Sequence, residues 1–75
     1  MIKAFFEDGK TIEAKDYNEL VEILANQTQQ NVTEYMEGAA RRCKLWDGSE
    51  IVYSNTDEFV SEFLRVGVIK KILIS

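Results

Sequence analysis

The chain has 75 residues, of which 45% are hydrophobic and 29% are charged, and its formal net charge at neutral pH is −4. A chain of this length forms one domain, residues 1–75, with a small core, since it buries only about 60–65% of its unfolded surface. The hydrophobic content excludes a disordered protein, and the negative charge disfavours a general electrostatic binder of nucleic acid.

Two stretches of the chain repeat one pattern, FEDGKTIEAKDYNELVEIL from Phe6 and LWDGSEIVYSNTDEFVSEF from Leu45. Each stretch predicts a strand, an Asp-Gly turn, a second strand and a capped amphipathic helix. We therefore expect a duplicated ββα unit with copies at 2–27 and 41–67. A connector or helix would occupy 28–40, and a closing strand 68–75.

The first hairpin is predicted over 2–6 and 10–14, because Asp-Gly between β-compatible runs is a strong hairpin signal. A three-residue loop with Gly9 in the left-handed region gives the most consistent register. That register pairs Ile2 with Ala14, Lys3 with Glu13, Ala4 with Ile12, and Phe5 with Thr11. The aliphatic pairs then share one face, and the charged pair lies on the other.

The first helix is predicted to begin after Asp16, whose side chain can accept from the N–H of Glu19. An apolar stripe follows at Tyr17, Leu20, Val21 and Leu24. Residues 32–40 keep helical spacing behind the cap at Asn31, and the alternative for this stretch is a short strand.

The second hairpin is predicted over 41–45 and 49–53, with Cys43 opposite Ile51 and Lys44 opposite Glu50. A helix capped by Asn55 would end at Gly67. The β-branched closing strand would lie between the two hairpins. These elements predict an α+β fold with a five-stranded, largely antiparallel sheet and two or three helices on one face.

The sheet face away from the helices is the main candidate for an interface. The predicted register exposes large apolar side chains there, and contiguous apolar patches usually mark interfaces. The candidate residues are Phe5, Trp46 and Val52, together with Ile69 and Leu73 from the closing strand, or Ile72 and Ile74 if that strand turns its other face outward. We expect a non-catalytic protein-interaction module that forms homo-oligomers or binds a protein partner, unless the helix at 32–40 covers this face.

The sequence offers no catalytic residues, no metal site, no cofactor and no small-molecule substrate. There is no histidine, and the single cysteine, Cys43, has no partner for zinc. A weak anion-binding or nucleic-acid-binding alternative is the basic cluster Arg41, Arg42 and Lys44, with Trp46 beside it and Lys70 and Lys71 as possible additions. The simpler interpretation is a set of solvated charges at strand edges.

A further alternative is an acidic inhibitor or nucleic-acid mimic that blocks a basic site on a partner. The residues for it are Glu7, Asp8, Glu13, Glu19, Glu22, Glu34 and Glu37. No apolar run approaches the roughly 18 residues of a membrane span, and acids appear by position 7, so a cytoplasmic location is expected. In size and in its lack of proline and histidine the chain loosely resembles small accessory proteins of bacteria or phages.

Overall fold

The computed structural model describes residues 1–48 and 50–74, and within them it is an α+β protein with three helices and a three-stranded antiparallel sheet. The elements are β1 (Ile2–Phe6), β2 (Thr11–Ala14), α1 (Tyr17–Gln27), α2 (Val32–Asp47), α3 (Thr56–Val66) and β3 (Ile69–Ile74). The strand order is β2-β1-β3, with β1 in the centre. The helices pack on one face of this sheet, and α2 packs mainly on α1.

The first hairpin has the predicted register, with all four residue pairs confirmed. The N–H of Phe6 donates to the carbonyl oxygen of Lys10 at 2.8 Å, and the N–H of Gly9 donates to that of Phe6 at 3.0 Å. Gly9 has a φ of 91°, the left-handed conformation that a three-residue hairpin loop requires. The alternation of side chains and the turn chemistry therefore agree on one register.

Helices α1 and α3 begin where their capping patterns predict. The side chains of Asp16 and Asn55 accept from the N–H groups of Glu19 and Glu58, at 2.8 Å in both cases. Each glutamate in turn accepts from the backbone N–H of the residue before its cap, at 2.9 Å in both cases. Gly67, with a φ of 92°, ends α3 as predicted.

The predicted second hairpin is wrong, and so is the five-stranded sheet that depends on it. Residues 32–40 are helical, as favoured, but α2 continues through 41–47 in place of the expected strand. Gly48, with a φ of 76°, ends the helix, and its N–H donates to the carbonyl oxygen of Lys44 at 3.1 Å. A left-handed glycine serves a helix C-terminus as well as a hairpin, so Asp-Gly alone does not distinguish them. Ser49, in the predicted fourth strand, lies outside the described residues.

The closing strand is confirmed over 69–74, but its predicted place between two hairpins is wrong. Strand β3 pairs antiparallel with β1 and forms an edge of the sheet. Ile72 faces Ala4, and Leu73 faces Lys3. A register shift between Phe5 and Phe6 then places Ile69 opposite Phe6. Ser75, the last residue of the predicted strand, lies outside the described residues.

One hydrophobic cluster joins the inner face of the sheet to the helices. Phe59 is its centre: its ring centroid lies 4.4 Å from that of Phe63, 5.3 Å from that of Tyr53 and 6.1 Å from that of Tyr35. The buried residues are Ile2, Ala4, Phe6, Ile12, Ala14, Leu20, Val21, Leu24, Ala25, Tyr35, Met36, Ala39, Ile51, Phe59, Val60, Phe63 and Ile69. The core therefore lies between sheet and helices, leaving the outer face of the sheet to solvent.

Candidate functional site

The outer face of the sheet is more polar than expected. Phe5 is half-buried, and the ammonium groups of Lys3 and Lys71 lie 5.6 and 5.0 Å from the centroid of its ring. Thr11 and Glu13 complete the polar part of this face, and Leu73 is 51% exposed on it. Phe5 therefore contributes less apolar surface than the sequence indicates.

The five residues proposed as an interface do not form one surface. Ile69 is 1% exposed and belongs to the core, so its assignment to an exposed face is wrong. The register shift in β3 explains this: it changes the alternation of faces, so that Ile69 points inward while Leu73 points outward. Trp46, 82% exposed, lies in the last turn of α2, and Val52, 69% exposed, lies between α2 and α3.

Within residues 1–48 and 50–74, no strand pairs with the outer edge of β3. Hydrogen bonds alternate between the two sides of an antiparallel strand. The N–H of Phe6, the last residue of β1, donates to the carbonyl oxygen of Lys10, on the side of β2. The even-numbered residues of β1 therefore form their backbone hydrogen bonds with β2, and the odd-numbered residues form theirs with β3. The β3 partners of the odd-numbered residues are Lys71 and Leu73. The N–H and C=O groups of Ile72 and Ile74 therefore point away from β1.

A cleft of about 310 Å³ lies between the β1–β2 loop and the C-terminal half of α2. Its apolar lining consists of Phe6, Leu24, Tyr35, Ala39, Phe63, Val66 and Val68. Its remaining lining residues are Glu7, Asp8, Lys10, Arg42, Cys43 and Trp46. The sequence did not predict this cleft, because the helix that forms one side of it was expected to end at residue 40. Continuing the helix would have put Tyr35, Ala39, Arg42, Cys43 and Trp46 on one face.

The charges around this cleft lie close to a buried phenol. Burial raises the pKa of Tyr35, the positive charge of Arg42 lowers it, and Cys43 raises it further. On the loop side, the ammonium group of Lys10 lies 5.4 Å from the Phe6 ring centroid. It also donates to the side-chain oxygen of Gln27 at 3.3 Å. The cleft thus combines an apolar floor with two cations and two carboxylates.

The basic residues of the anion-binding alternative do not form one cluster. Arg41, Arg42 and Lys44 lie on α2, and Arg42 alone of these three lines the cleft. Lys70 and Lys71 lie on β3, on the other side of the core, and Lys71 packs on Phe5.

The acidic residues of the mimic alternative are spread over the hairpin loop, β2, α1 and α2. Two of them act in helix caps. Glu19 accepts from the N–H of Lys15 at 2.9 Å, and Glu34 accepts from the N–H of Asn31 at 3.2 Å. These two carboxylates therefore have a local structural role.

Within residues 1–48 and 50–74, no group of three or more His, Cys, Asp or Glu side chains is placed to hold a metal ion. The helices in the same part of the chain are all too short or too polar to cross a bilayer. Comparison with known proteins found no matching family model, no matching curated relative and no matching solved structure.

Proposed function

We propose that the protein is a small, non-catalytic, cytoplasmic interaction module that self-associates by pairing the free edge of β3 with that of a second copy. One observation carries the proposal. The strand has outward-pointing backbone groups at Ile72 and Ile74, and the side chains of Leu73 and Ile74 are 51% and 74% exposed. An exposed edge of this kind is a template for pairing with another strand.

The two edges of the sheet differ, and the difference favours β3. Strand β2 has four residues, and its two exposed side chains are the polar Thr11 and Glu13. Strand β3 has six residues and ends in exposed apolar side chains. Pairing through β3 would bury apolar surface together with backbone groups, and pairing through β2 would bury polar side chains.

We place the two-fold axis between two β3 strands at Ile72, because its outward N–H and C=O groups can bond those of its own copy. Ile72 then pairs with its own copy, Lys71 faces Leu73, and Lys70 faces Ile74. An axis at Lys71 would place two lysines directly opposite each other, which destabilises a strand pair. The axis at Ile72 joins the sheets into a continuous antiparallel sheet of twice the width.

The lysines and the register shift at the start of β3 limit how this edge can pair. Charged side chains and bulges protect edges from open-ended association. The shift lies at Ile69–Lys71, so the regular part of the strand, from Lys71 to Ile74, contains the central Ile72 pair and both Lys71–Leu73 pairs of the proposed register. A closed dimer also supplies burial that a domain of this size lacks.

Sedimentation of two variants at Ile74 tests the proposal. Ile74→Pro removes the outward N–H, whereas Ile74→Val retains it in a side chain of similar shape. We expect the unmodified protein and Ile74→Val to form dimers between about 1 and about 100 µM, with Ile74→Pro at least about tenfold weaker. An unmodified protein that is monomeric throughout this range contradicts the proposal.

A further inference from the structure

We propose that the cleft between the β1–β2 loop and α2 binds a small amphipathic anion: a compact apolar body bearing one carboxylate. The site goes beyond self-association, because none of its lining residues belongs to β3. Arg42 would hold the carboxylate, and the floor of the cleft would hold the apolar body.

The size and lining of the cleft fit a small apolar body. Small-molecule sites typically have volumes from about 300 Å³ upward, and this cleft of about 310 Å³ lies at the lower end of that range. The side chains of Phe6, Leu24 and Phe63 on its floor are 6%, 4% and 3% exposed. They are held in place by the core, so the floor is formed before any ligand arrives and little ordering is required on binding.

Arg42 is the residue that selects an anion. It forms no hydrogen bond or ion pair with the described residues, whereas the guanidinium of Arg65 forms a bidentate ion pair with Glu62. Its charge acts on Tyr35, whose side chain is 8% exposed on the cleft wall. A guanidinium beside an apolar floor favours a carboxylate, which it can bind through two parallel hydrogen bonds. The hydroxyl of Tyr35 is a further donor.

Two carboxylates also border the cleft, and they raise the question of a cationic ligand. Glu7 and Asp8 belong to the exposed hairpin loop, where an oxygen of Asp8 already accepts from the backbone N–H of Lys10 at 2.9 Å. Arg42 lies on α2 beside the buried phenol instead. Arg42 is exposed as Glu7 and Asp8 are, but its charge acts on the buried phenol of the cleft wall, whereas Asp8 is engaged within its own loop, and this difference favours an anion within the cleft.

Trp46 provides the means of detection. It is the single tryptophan of the chain, lines the cleft and is 82% exposed, so its fluorescence reports directly on a ligand there. A matched set of probes transparent at the excitation wavelength of tryptophan is 3-cyclohexylpropanoate, its amide and 3-cyclohexylpropylamine. They share the apolar body and present an anion, a neutral group and a cation.

The test is titration of the full chain with each probe, followed by Trp46 emission and by NMR shifts of the cleft residues. We expect the carboxylate to bind with a Kd of roughly 0.1–1 mM, about tenfold or more tighter than the amide or the amine. Arg42→Gln should abolish this preference. Arg41→Gln is the matched control, since it removes a neighbouring exposed charge that does not line the cleft, and it should leave the preference intact.

Four results would overturn the proposal: no binding of the carboxylate up to about 10 mM, equal affinity for carboxylate and amide, tightest binding of the amine, or an unchanged preference in Arg42→Gln. An affinity that falls as the protein concentration rises would place a second copy in the cleft and would also overturn it. Circular dichroism of both arginine variants confirms that the comparison is made between folded proteins.

Discussion

Glu62 and Arg65 lie one turn apart on α3 and form a bidentate ion pair, with nitrogen–oxygen distances of 2.7 and 3.0 Å. Both also hold the segment that follows α2. Arg65 donates to the carbonyl oxygen of Glu50 at 2.7 Å, and Glu62 accepts from the N–H of Val52 at 3.0 Å. Part of the segment predicted as a strand is therefore bound by side chains of a helix.

This arrangement predicts a specific acid sensitivity. Hydrogen bonds from Arg65 and from the Val52 N–H lower the pKa of Glu62 to about 2 from its ordinary value of 4.5. A carboxyl with a depressed folded-state pKa contributes stability that is present above about pH 4.5 and is lost as the pH falls towards 2. Between these values the unfolded chain binds more protons, so stability rises with pH.

Urea denaturation of Glu62→Gln between about pH 5 and pH 2 measures this contribution. We expect its stability to fall less steeply with acid than that of the unmodified protein. Glu13→Gln, on the outer face of the sheet, is the control and should retain the original slope. Equal slopes for all three proteins would show that the ion pair does not stabilise the fold.

The length of α2 predicts opposite effects at two glycines. Gly38 lies inside the helix, and a methyl group there would meet a nitrogen of Arg42 at 3.5 Å, an ordinary contact with a flexible side chain. Gly38→Ala should therefore raise the free energy of unfolding by about 0.5–1 kcal/mol. Gly48 has a φ of 76° at the end of the helix, and Gly48→Ala should lower it by about 1–2 kcal/mol.

Chemical denaturation of Gly38→Ala and Gly48→Ala measures whether the free energy of unfolding rises in the first variant and falls in the second. Gly9→Ala is the control, because it measures the cost of placing an alanine in the left-handed conformation outside α2. A destabilising Gly38→Ala would contradict a continuous helix over 32–47.

Phe59 should be the most sensitive position of the core, because it is 0% exposed and contacts three other aromatic rings. Phe59→Leu removes these ring contacts and should cost about 1–3 kcal/mol. Leu64→Ala, at a 38% exposed position of the same helix, is the comparison. The measurement is the melting temperature of both variants. If Leu64→Ala lowers it more than Phe59→Leu does, the placement of the core is contradicted.

The two copies of the sequence repeat, 2–27 and 41–67, differ in how much of their structure the sequence predicts. The helix caps at Asp16 and Asn55 are predicted correctly, because a cap depends on residues three positions apart. The first hairpin is predicted because alternation over both strands supports its Asp-Gly turn. The second Asp-Gly lacks this support: Arg, Lys and Leu before Gly48 favour a helix, and α2 is already initiated by its capping box.

The candidate surfaces were harder to predict than the elements. The sequence of β3 has apolar residues at both odd and even positions, so its inward face could not be read from the alternation. The register shift that separates Ile69 from Leu73 depends on pairing with β1. The cleft depends on where α2 ends and on how it packs beside the hairpin loop. These are relations between distant segments, which local patterns do not encode.

The register of the proposed dimer predicts opposite effects of two charges at Leu73. With the axis at Ile72, residue 73 faces Lys71 of the other copy twice in each dimer. Leu73→Glu should create two opposite-charge pairs and Leu73→Lys two repulsive ones, each worth roughly 0.2–1 kcal/mol. Sedimentation at low salt should show tighter association for Leu73→Glu, by roughly two- to thirtyfold. Weaker association of Leu73→Glu would point to an axis at residue 73 instead.

The most direct test of self-association through β3 is hydrogen exchange of its amides as a function of protein concentration. The amides of Lys71 and Leu73 bond β1 within one copy and should be protected from about 10 µM to about 1 mM. Those of Ile72 and Ile74 point to the free edge and should become protected only as the concentration rises. If Ile72 and Ile74 exchange at the same rate throughout this range, the edge of β3 does not pair with a second copy.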